Sequence, residues 1–214
     1  MEVVMVAVDS RVWWYASRAS GIVLWLLVAF AVLWGFAVSS RLVRKRGIPA
    51  WMLDLHKHLG TLTVVFTAMH LVALWGDSFV QFGWRELLIP MASGWKPGAV
   101  AWGVIALYLL AAVQLTSWCK RWLPRKLWHT VHMLSVPLFV TGSVHGILAG
   151  ADWPNRLVQW GFVLVSLNVV WLATFRVLVP TKDPATTDRL AAARAASAAA
   201  KAKAATMRSD SVAS

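Results

Sequence analysis

Five long apolar runs, separated by shorter polar connections, decide what this chain can fold into. A transmembrane helix needs about 20 mostly apolar residues, and every run reaches that length. The runs cover residues 21–40, 51–75, 98–118, 127–149 and 157–179. Charged residues make up only 14% of the chain, against about 25% in soluble domains, so lipid is the expected solvent. The sequence predicts an all-α integral membrane protein built as a five-helix transmembrane bundle, with a six-helix bundle as the alternative.

Two connections between these runs carry basic residues without any acidic residue. The basic residues are Arg41, Arg44, Lys45 and Arg46 after the first run, and Lys120, Arg121, Arg125 and Lys126 after the third. Because cytoplasmic loops are rich in Lys and Arg, we expect both connections on the cytoplasmic side of a bacterial-type plasma membrane. The N-terminus is then outside and the C-terminus inside. The net charge of +12 therefore reflects membrane-flanking clusters, and nucleic acid is not an expected partner.

Three segments lie outside the predicted helices, which occupy a transmembrane domain over residues 18–179. Residues 1–17 are expected to be extracytoplasmic or interfacial. Residues 78–97 are too polar to span the bilayer but rich in aromatic and aliphatic side chains, which predicts a short helix at the outer interface. Residues 180–214 are mostly Ala with scattered Lys and Arg and have no aromatic residue. This composition cannot bury a core, so it predicts a disordered cytoplasmic tail.

All six histidines lie in the second and fourth runs: His56, His58, His70, His129, His132 and His145. Histidine inside a membrane usually marks a functional path. His56 and His70 are 14 residues apart, which places them on one helix face about 21 Å apart along the axis. His132 and His145 are separated by about 20 Å of helical rise. His56 can therefore face His132 near the inside, and His70 can face His145 near the outside.

Two imidazoles that face each other suit the axial positions of a haem iron better than a tetrahedral zinc or a di-iron site. The single cysteine, Cys119, excludes both the covalent attachment of a c-type haem and a cysteine-ligated iron–sulfur cluster. We therefore expect haem b between helices two and four, two haems in the full arrangement and one in the alternative. A haem-free transporter or scaffold with a histidine proton path remains the rival interpretation.

One spacing does not fit an ideal helix, because 13 residues leave His132 and His145 about 140° out of alignment. Pro137 lies between them and predicts a kink that re-aims one end. His58 and His129, at the polar ends of their helices, are expected to have a plain interfacial role. Arg11 and Arg18 on the outer side, and Arg125 with the cluster 44–46 on the inner side, are candidates for pairing with haem propionates or for setting orientation.

The stretch Asp54-Leu-His-Lys-His-Leu-Gly60, then His70, Arg125-Lys-Leu-Trp-His-Thr-Val-His132 and His145, resembles the ferric-reductase-like transmembrane domain family. That family includes NADPH oxidases, ferric reductases and the MsrQ-type haem subunit of a bacterial methionine sulfoxide reductase system. The resemblance covers residues 17–179. It implies that His56, His70, His132 and His145 are the haem ligands, and it leaves His58 and His129 without that role.

The sequence departs from the larger members of the family, which continue into FAD- and NADPH-binding domains and have six helices. It contains no G-x-G-x-x-G motif and resembles the stand-alone bacterial members. This implies a haem-containing membrane subunit of an oxidoreductase, with no flavin or NAD(P)H domain of its own. Electrons would come from a separate flavoprotein, reductase or quinol and leave to an extracytoplasmic acceptor. A single-haem, quinol-linked subunit is the alternative within this class.

Overall fold

The computed structural model describes residues 10–39, 48–78, 80, 82–178 and 189–199, and within them all regular structure is helical. Residues 189–199 form helix α8. The other helices, numbered in chain order, are α1 (Ser10–Val38), α2 (Ala50–Gly76), α3 (Trp84–Leu88), α4 (Pro97–Trp118), α5 (Arg125–His132), α6 (Ser135–Ala149) and α7 (Arg156–Leu178).

Among the described residues, five segments are long and apolar enough to cross a membrane, which confirms the predicted all-α membrane architecture. α1, α2, α4 and α7 each provide one span, and α5 together with α6 provides the fourth. Most helix ends lie within one or two residues of the predicted ends. The exception is α1, which begins at Ser10 and so takes in part of the segment 1–17 that was predicted to precede the first helix.

The fourth span is interrupted at Met133 and Leu134, where the chain makes a turn between α5 and α6. Pro137 explains the position of this break, because proline lacks an N–H and its ring collides with the carbonyl four residues earlier, that of Met133. The Met133 carbonyl instead accepts a hydrogen bond from the Val136 N–H at 3.2 Å. The helix is therefore interrupted one turn before the proline, between the two histidines where the sequence predicted a kink.

Four helices surround the centre of the bundle. α1 packs along α2, α4 packs along α6, α1 also contacts α6, and α2 touches α4. The two histidine-bearing spans, α2 and α5–α6, therefore stand diagonally opposite each other. α1 and α4 fill the other two corners, which leaves the centre of the bundle to side chains of α2 and of α5–α6.

The tightest core joins α1, α6 and α7. Trp25 stacks on Phe162 with ring centres 3.8 Å apart, and its indole N–H donates to the Ser143 hydroxyl at 2.8 Å. Phe139 packs against the same tryptophan, and Val169 of α7 belongs to the same cluster; both are almost completely buried. This cluster fixes the fourth span relative to the first and attaches α7 to the bundle by one strip of its surface.

The connection between α2 and α4 contains the short helix α3, at the place predicted for an interfacial helix. Phe82 and Leu87 from this connection are buried against Val100 and Val104 of α4. The Tyr108 hydroxyl of α4 donates to the carbonyl of Leu88. Phe79, also part of that prediction, lies outside the described residues.

After Leu178 the structure describes only α8, whose residues are all exposed. The sequence of this Ala-rich tail allowed for partial helix, and Ala and Arg are strong helix formers. The basic cluster 41–46 and the remainder of the tail lie outside the described residues.

Candidate functional site

The structure brings four of the six histidines together as two opposed pairs. The ring centres of His56 and His132 are 5.9 Å apart, with the ring planes at 73°. The ring centres of His70 and His145 are 6.5 Å apart, with the planes at 81°. The two pairs stack along the bundle, so the pairing expected from the 14- and 13-residue spacings is the pairing in the structure.

These distances can be compared with what a metal between two rings requires. A metal–imidazole bond is about 2 Å long, so two imidazoles that bind one ion from opposite sides have centres about 6 Å apart. Both pairs meet this spacing. No three His, Cys, Asp or Glu side chains in the described part of the chain come together around one metal position. The donor set at each level is therefore a pair of nitrogens, which fits the two axial positions of a haem iron.

The His70–His145 pair is oriented by two backbone carbonyls. Nδ1 of His70 lies 2.9 Å from the carbonyl oxygen of Ser17 on α1. Nδ1 of His145 lies 2.8 Å from the carbonyl oxygen of Ala99 on α4. A carbonyl only accepts hydrogen bonds, so both Nδ1 atoms must carry the proton. The Nε2 atoms then keep their lone pairs for a metal, the arrangement that outer-shell carbonyls impose on metal-binding histidines.

The His56–His132 pair is oriented less completely. Nδ1 of His132 lies 3.3 Å from the Ser117 hydroxyl oxygen, and that hydroxyl donates to the carbonyl of Val113 at 2.6 Å. Ser117 is therefore the acceptor for His132. Nδ1 of His56 is buried without a hydrogen-bond partner among the described residues, as is the indole nitrogen of Trp128, which stacks on His132. Buried polar atoms without partners are rare in folded proteins, and a bound polar group would satisfy them.

Each paired histidine lies against a small residue of a neighbouring helix. A Cβ atom at Gly21 would be 3.2 Å from Cε1 of His70, and one at Gly35 would be 3.4 Å from Cε1 of His56. At Gly103 it would be only 2.8 Å from Cε1 and Nδ1 of His145. Ser117 takes the corresponding place beside His132. A small residue of α1 or α4 therefore makes room for each of the four paired imidazoles.

The spacing of these small residues is a sequence signal that our prediction missed. Gly21 and Gly35 are 14 residues apart, as are Gly103 and Ser117, the same interval that separates His56 from His70. Other glycines that are close to the paired histidines in sequence have different surroundings. Gly142 and Gly146 line a cavity around His145, and Gly146 also faces Phe162, whereas Gly60 faces Gln114.

A cavity of about 310 Å³ surrounds the His70–His145 pair. It is lined mainly by apolar side chains from α1, α2, α4 and α6, among them Val28, Leu71, Val104, Leu107 and Phe139. Its volume lies at the lower end of the range for cofactor pockets, about 300–1,000 Å³. A flat apolar group placed between the two imidazoles would contact apolar side chains from all four of these helices.

Charged residues line one end of this cavity. Arg18 forms an ion pair with Asp152, in which its Nε lies 3.1 Å from a carboxylate oxygen. The guanidinium also lies over the Trp14 ring, 4.1 Å from its centre. Arg18 was a candidate partner for haem propionates, and the structure places it at the cavity with Asp152 as its existing partner.

His58 and His129 are not brought to either pair. Nδ1 of His58 bonds the carbonyl of Asp54 in its own helix at 2.9 Å, and the side chain is exposed. His129 is exposed beside Arg125 and Lys126. These positions agree with an interfacial role for both residues.

A family model described as "Ferric reductase like transmembrane component" matches residues 20–143, more than half of the chain. The matched range contains His56, His70 and His132 and ends two residues before His145. Searches of the curated proteins and of the solved structures found no significant match.

Proposed function

Because the chain belongs to the ferric-reductase-like transmembrane family, we propose that it carries electrons across a membrane through b-type haem held between its paired histidines. The observation that carries this proposal is the presence of two opposed imidazole pairs, each with ring centres about 6 Å apart, stacked along one bundle. The 14-residue interval between His56 and His70 corresponds to about 21 Å along the helix. Such a stack spans most of a hydrocarbon core of about 30 Å.

When bound, haem b supplies an iron that takes up and releases one electron. The residues of this chain fix where that happens. Nε2 of His70 and of His145 would hold the iron of one haem, and His56 and His132 that of the other. The carbonyls of Ser17 and Ala99 hold the imidazoles in the required tautomer. The apolar lining keeps water away, and burial and hydrogen bonding to the ligands tune the reduction potential.

The direction of transfer follows from the orientation that the basic loops predict. Electrons enter at the His56–His132 level from a cytoplasmic or membrane donor, which is a separate flavoprotein, reductase or quinol. They leave from the His70–His145 level to an extracytoplasmic acceptor. The chain thus acts as the haem-containing subunit of a membrane oxidoreductase.

A single-haem subunit, linked to quinol, is the second candidate, and one observation favours it. The cavity described above lies at the His70–His145 level, where both imidazoles also have carbonyl partners. If only one haem binds, we expect it at this level. The His56–His132 pair would then pack without a cofactor.

The test is the haem content of protein purified in detergent, from a pyridine haemochrome assay and a reduced-minus-oxidised spectrum. We expect a low-spin b-type spectrum and two haems per chain. His70→Ala and His145→Ala should each remove one haem, whereas the exposed-site controls His58→Ala and His129→Ala should remove none. One haem in the unaltered protein would support the single-haem alternative. Colourless protein from cells supplied with haem would refute both and favour a haem-free transporter or scaffold.

A further inference from the structure

α7 is attached to the bundle by one strip of side chains and leaves the rest of its surface uncovered. Val169 is buried, and Phe162 and Val165 pack beside it. Away from this strip, Leu164 is 59% exposed and Trp171 63% exposed. Lipid can cover apolar side chains, so their exposure alone does not identify a partner.

Asn168 is the residue on this uncovered surface that lipid cannot satisfy. It is exposed, and its side-chain N–H donates to the carbonyl of Leu164 at 2.8 Å. Its amide oxygen and second N–H have no partner among the described residues. Asn168 follows Arg156 by 12 residues, or about 18 Å along the helix, which places it near the middle of the span 156–175. An amide without hydrogen bonds in hydrocarbon is costly.

The residues around Asn168 form a seam suited to another helix. Gly161, Leu164, Asn168, Trp171 and Phe175 follow one another at intervals of three and four residues and are all exposed. This interval is that of the contact line between two packed helices. A Cβ atom at Gly161 would have no neighbour within 4 Å, and glycine at such a place lets two backbones approach closely.

We propose that the α7 seam, defined by these five residues, binds the α7 seam of a second copy of this chain about a two-fold axis. A symmetric interface places like residues opposite each other, and the asparagine amide carries both a donor and an acceptor. Two Asn168 amides can therefore satisfy each other. Within the part of the chain that the structure describes, nothing covers the seam, since all five of its residues are exposed.

Cysteine cross-linking in lipid vesicles tests this geometry. The native Cys119 is replaced by Ser, and single cysteines are placed on the seam by Leu164→Cys and Trp171→Cys. Val170→Cys is the matched control, because Val170 is 53% exposed but lies about 120° round the helix from Leu164. We expect the two seam positions to give disulfide-linked dimers and position 170 to give none. Equal cross-linking at all three positions, or none at the seam, would overturn the proposal.

Substitution of Asn168 tests the polar contact independently. Asn168→Leu should weaken dimerisation on the order of tenfold, as expected for a hydrogen bond between membrane helices, whereas Asn168→Gln should retain it. The dimer fraction is measured by energy transfer between labelled copies at several protein-to-lipid ratios. Circular dichroism confirms that each variant is folded. A protein that remains monomeric at every ratio, or an Asn168→Leu variant that dimerises like the original, would overturn the proposal.

Discussion

At the scale of single residues, the absence of a side chain at Gly21 and Gly103 lets backbone carbonyls orient His70 and His145. The carbonyl of Ser17 lies one turn before Gly21, and that of Ala99 lies one turn before Gly103. In a helix the side chain at position i+4 lies over the carbonyl at position i. A glycine at i+4 therefore leaves that carbonyl open to an imidazole from the neighbouring helix.

The substitution Gly103→Ala tests whether this glycine positions His145. The new methyl group would lie 2.8 Å from Cε1 and Nδ1 of His145, so the ring must move away from the carbonyl of Ala99. Loss of an outer-shell partner lowers metal affinity by about 10–100-fold, and we expect haem affinity at this level to fall within that range. Haem titration of the apoprotein measures the effect.

Gly98→Ala is the control, because Gly98 lies on the same helix and a Cβ atom there has no neighbour within 4 Å. It should leave the affinity unchanged. An unchanged affinity in Gly103→Ala as well would contradict a positioning role for this glycine.

The pairing of the histidines could be predicted from the sequence, but the backbone carbonyls that orient two of them could not. Six histidines are confined to two apolar runs, and two of them are 14 residues apart. This spacing can be recognised from the sequence alone. The Ser17 and Ala99 carbonyls carry no such signal, because every residue has a backbone carbonyl. Only the packing of α1 on α2 and of α4 on α6 selects these two. The matching glycine spacing was readable in principle, but glycine is common at membrane helix contacts of every kind.

At the scale of helices, the break between α5 and α6 decides which way His132 faces. An unbroken helix would place His132 about 140° away from His145. The structure has both facing α2, with the turn at Met133 and Leu134 between them. Pro137 was a sufficient signal for a kink, although the position of the turn depends on backbone hydrogen bonds that the sequence does not specify.

Pro137→Ala should allow this span to run as one helix, because the missing N–H is restored and the clash with the Met133 carbonyl is removed. We expect the protein to stay helical while haem content falls towards one per chain. Circular dichroism and the haemochrome assay measure the two effects. Two haems per chain in this variant would show that the proline is not needed to aim His132.

The ion pair between Arg18 and Asp152 joins α1 to the connection between α6 and α7. Both side chains are less than one-third exposed. Asp152→Asn should therefore lower the free energy of unfolding by about 1 kcal/mol, near the upper end for such pairs. Asp54→Asn is the control, since the Asp54–Lys57 pair is more than half exposed on both sides and should contribute little. Unfolding in detergent compares the two, and equal effects would contradict the assigned role of Asp152.

At the scale of the whole molecule, helix order and helix ends were readable from the sequence because lipid demands long apolar runs. The diagonal placement of the two histidine-bearing spans could not be read from the sequence, because many arrangements of five apolar helices are equally compatible with the hydropathy pattern. The starting point of α1 was also missed. Residues 10–20 are less apolar than the run after them, yet Ser17 and Ser20 are buried there, so packing within the bundle extends the helix.

The orientation in the membrane remains a prediction of the basic loops. Green fluorescent protein folds in the bacterial cytoplasm but not after export through the general secretion pathway. If it is fused to the C-terminus of the chain, the fusion should therefore fluoresce. A fusion to alkaline phosphatase at the same place should be inactive. The opposite pair of results would reverse the proposed direction of transfer.

The most direct test of the central claim is electron transfer across a sealed membrane. Purified protein is reconstituted with haem into vesicles that contain ferricyanide, and dithionite is added outside. We expect the enclosed ferricyanide to be reduced much faster than in protein-free vesicles, and we expect His70→Ala to abolish this increase while His58→Ala retains it. Reduction at the protein-free rate, in vesicles whose protein carries its full haem content, would contradict a transmembrane electron conduit.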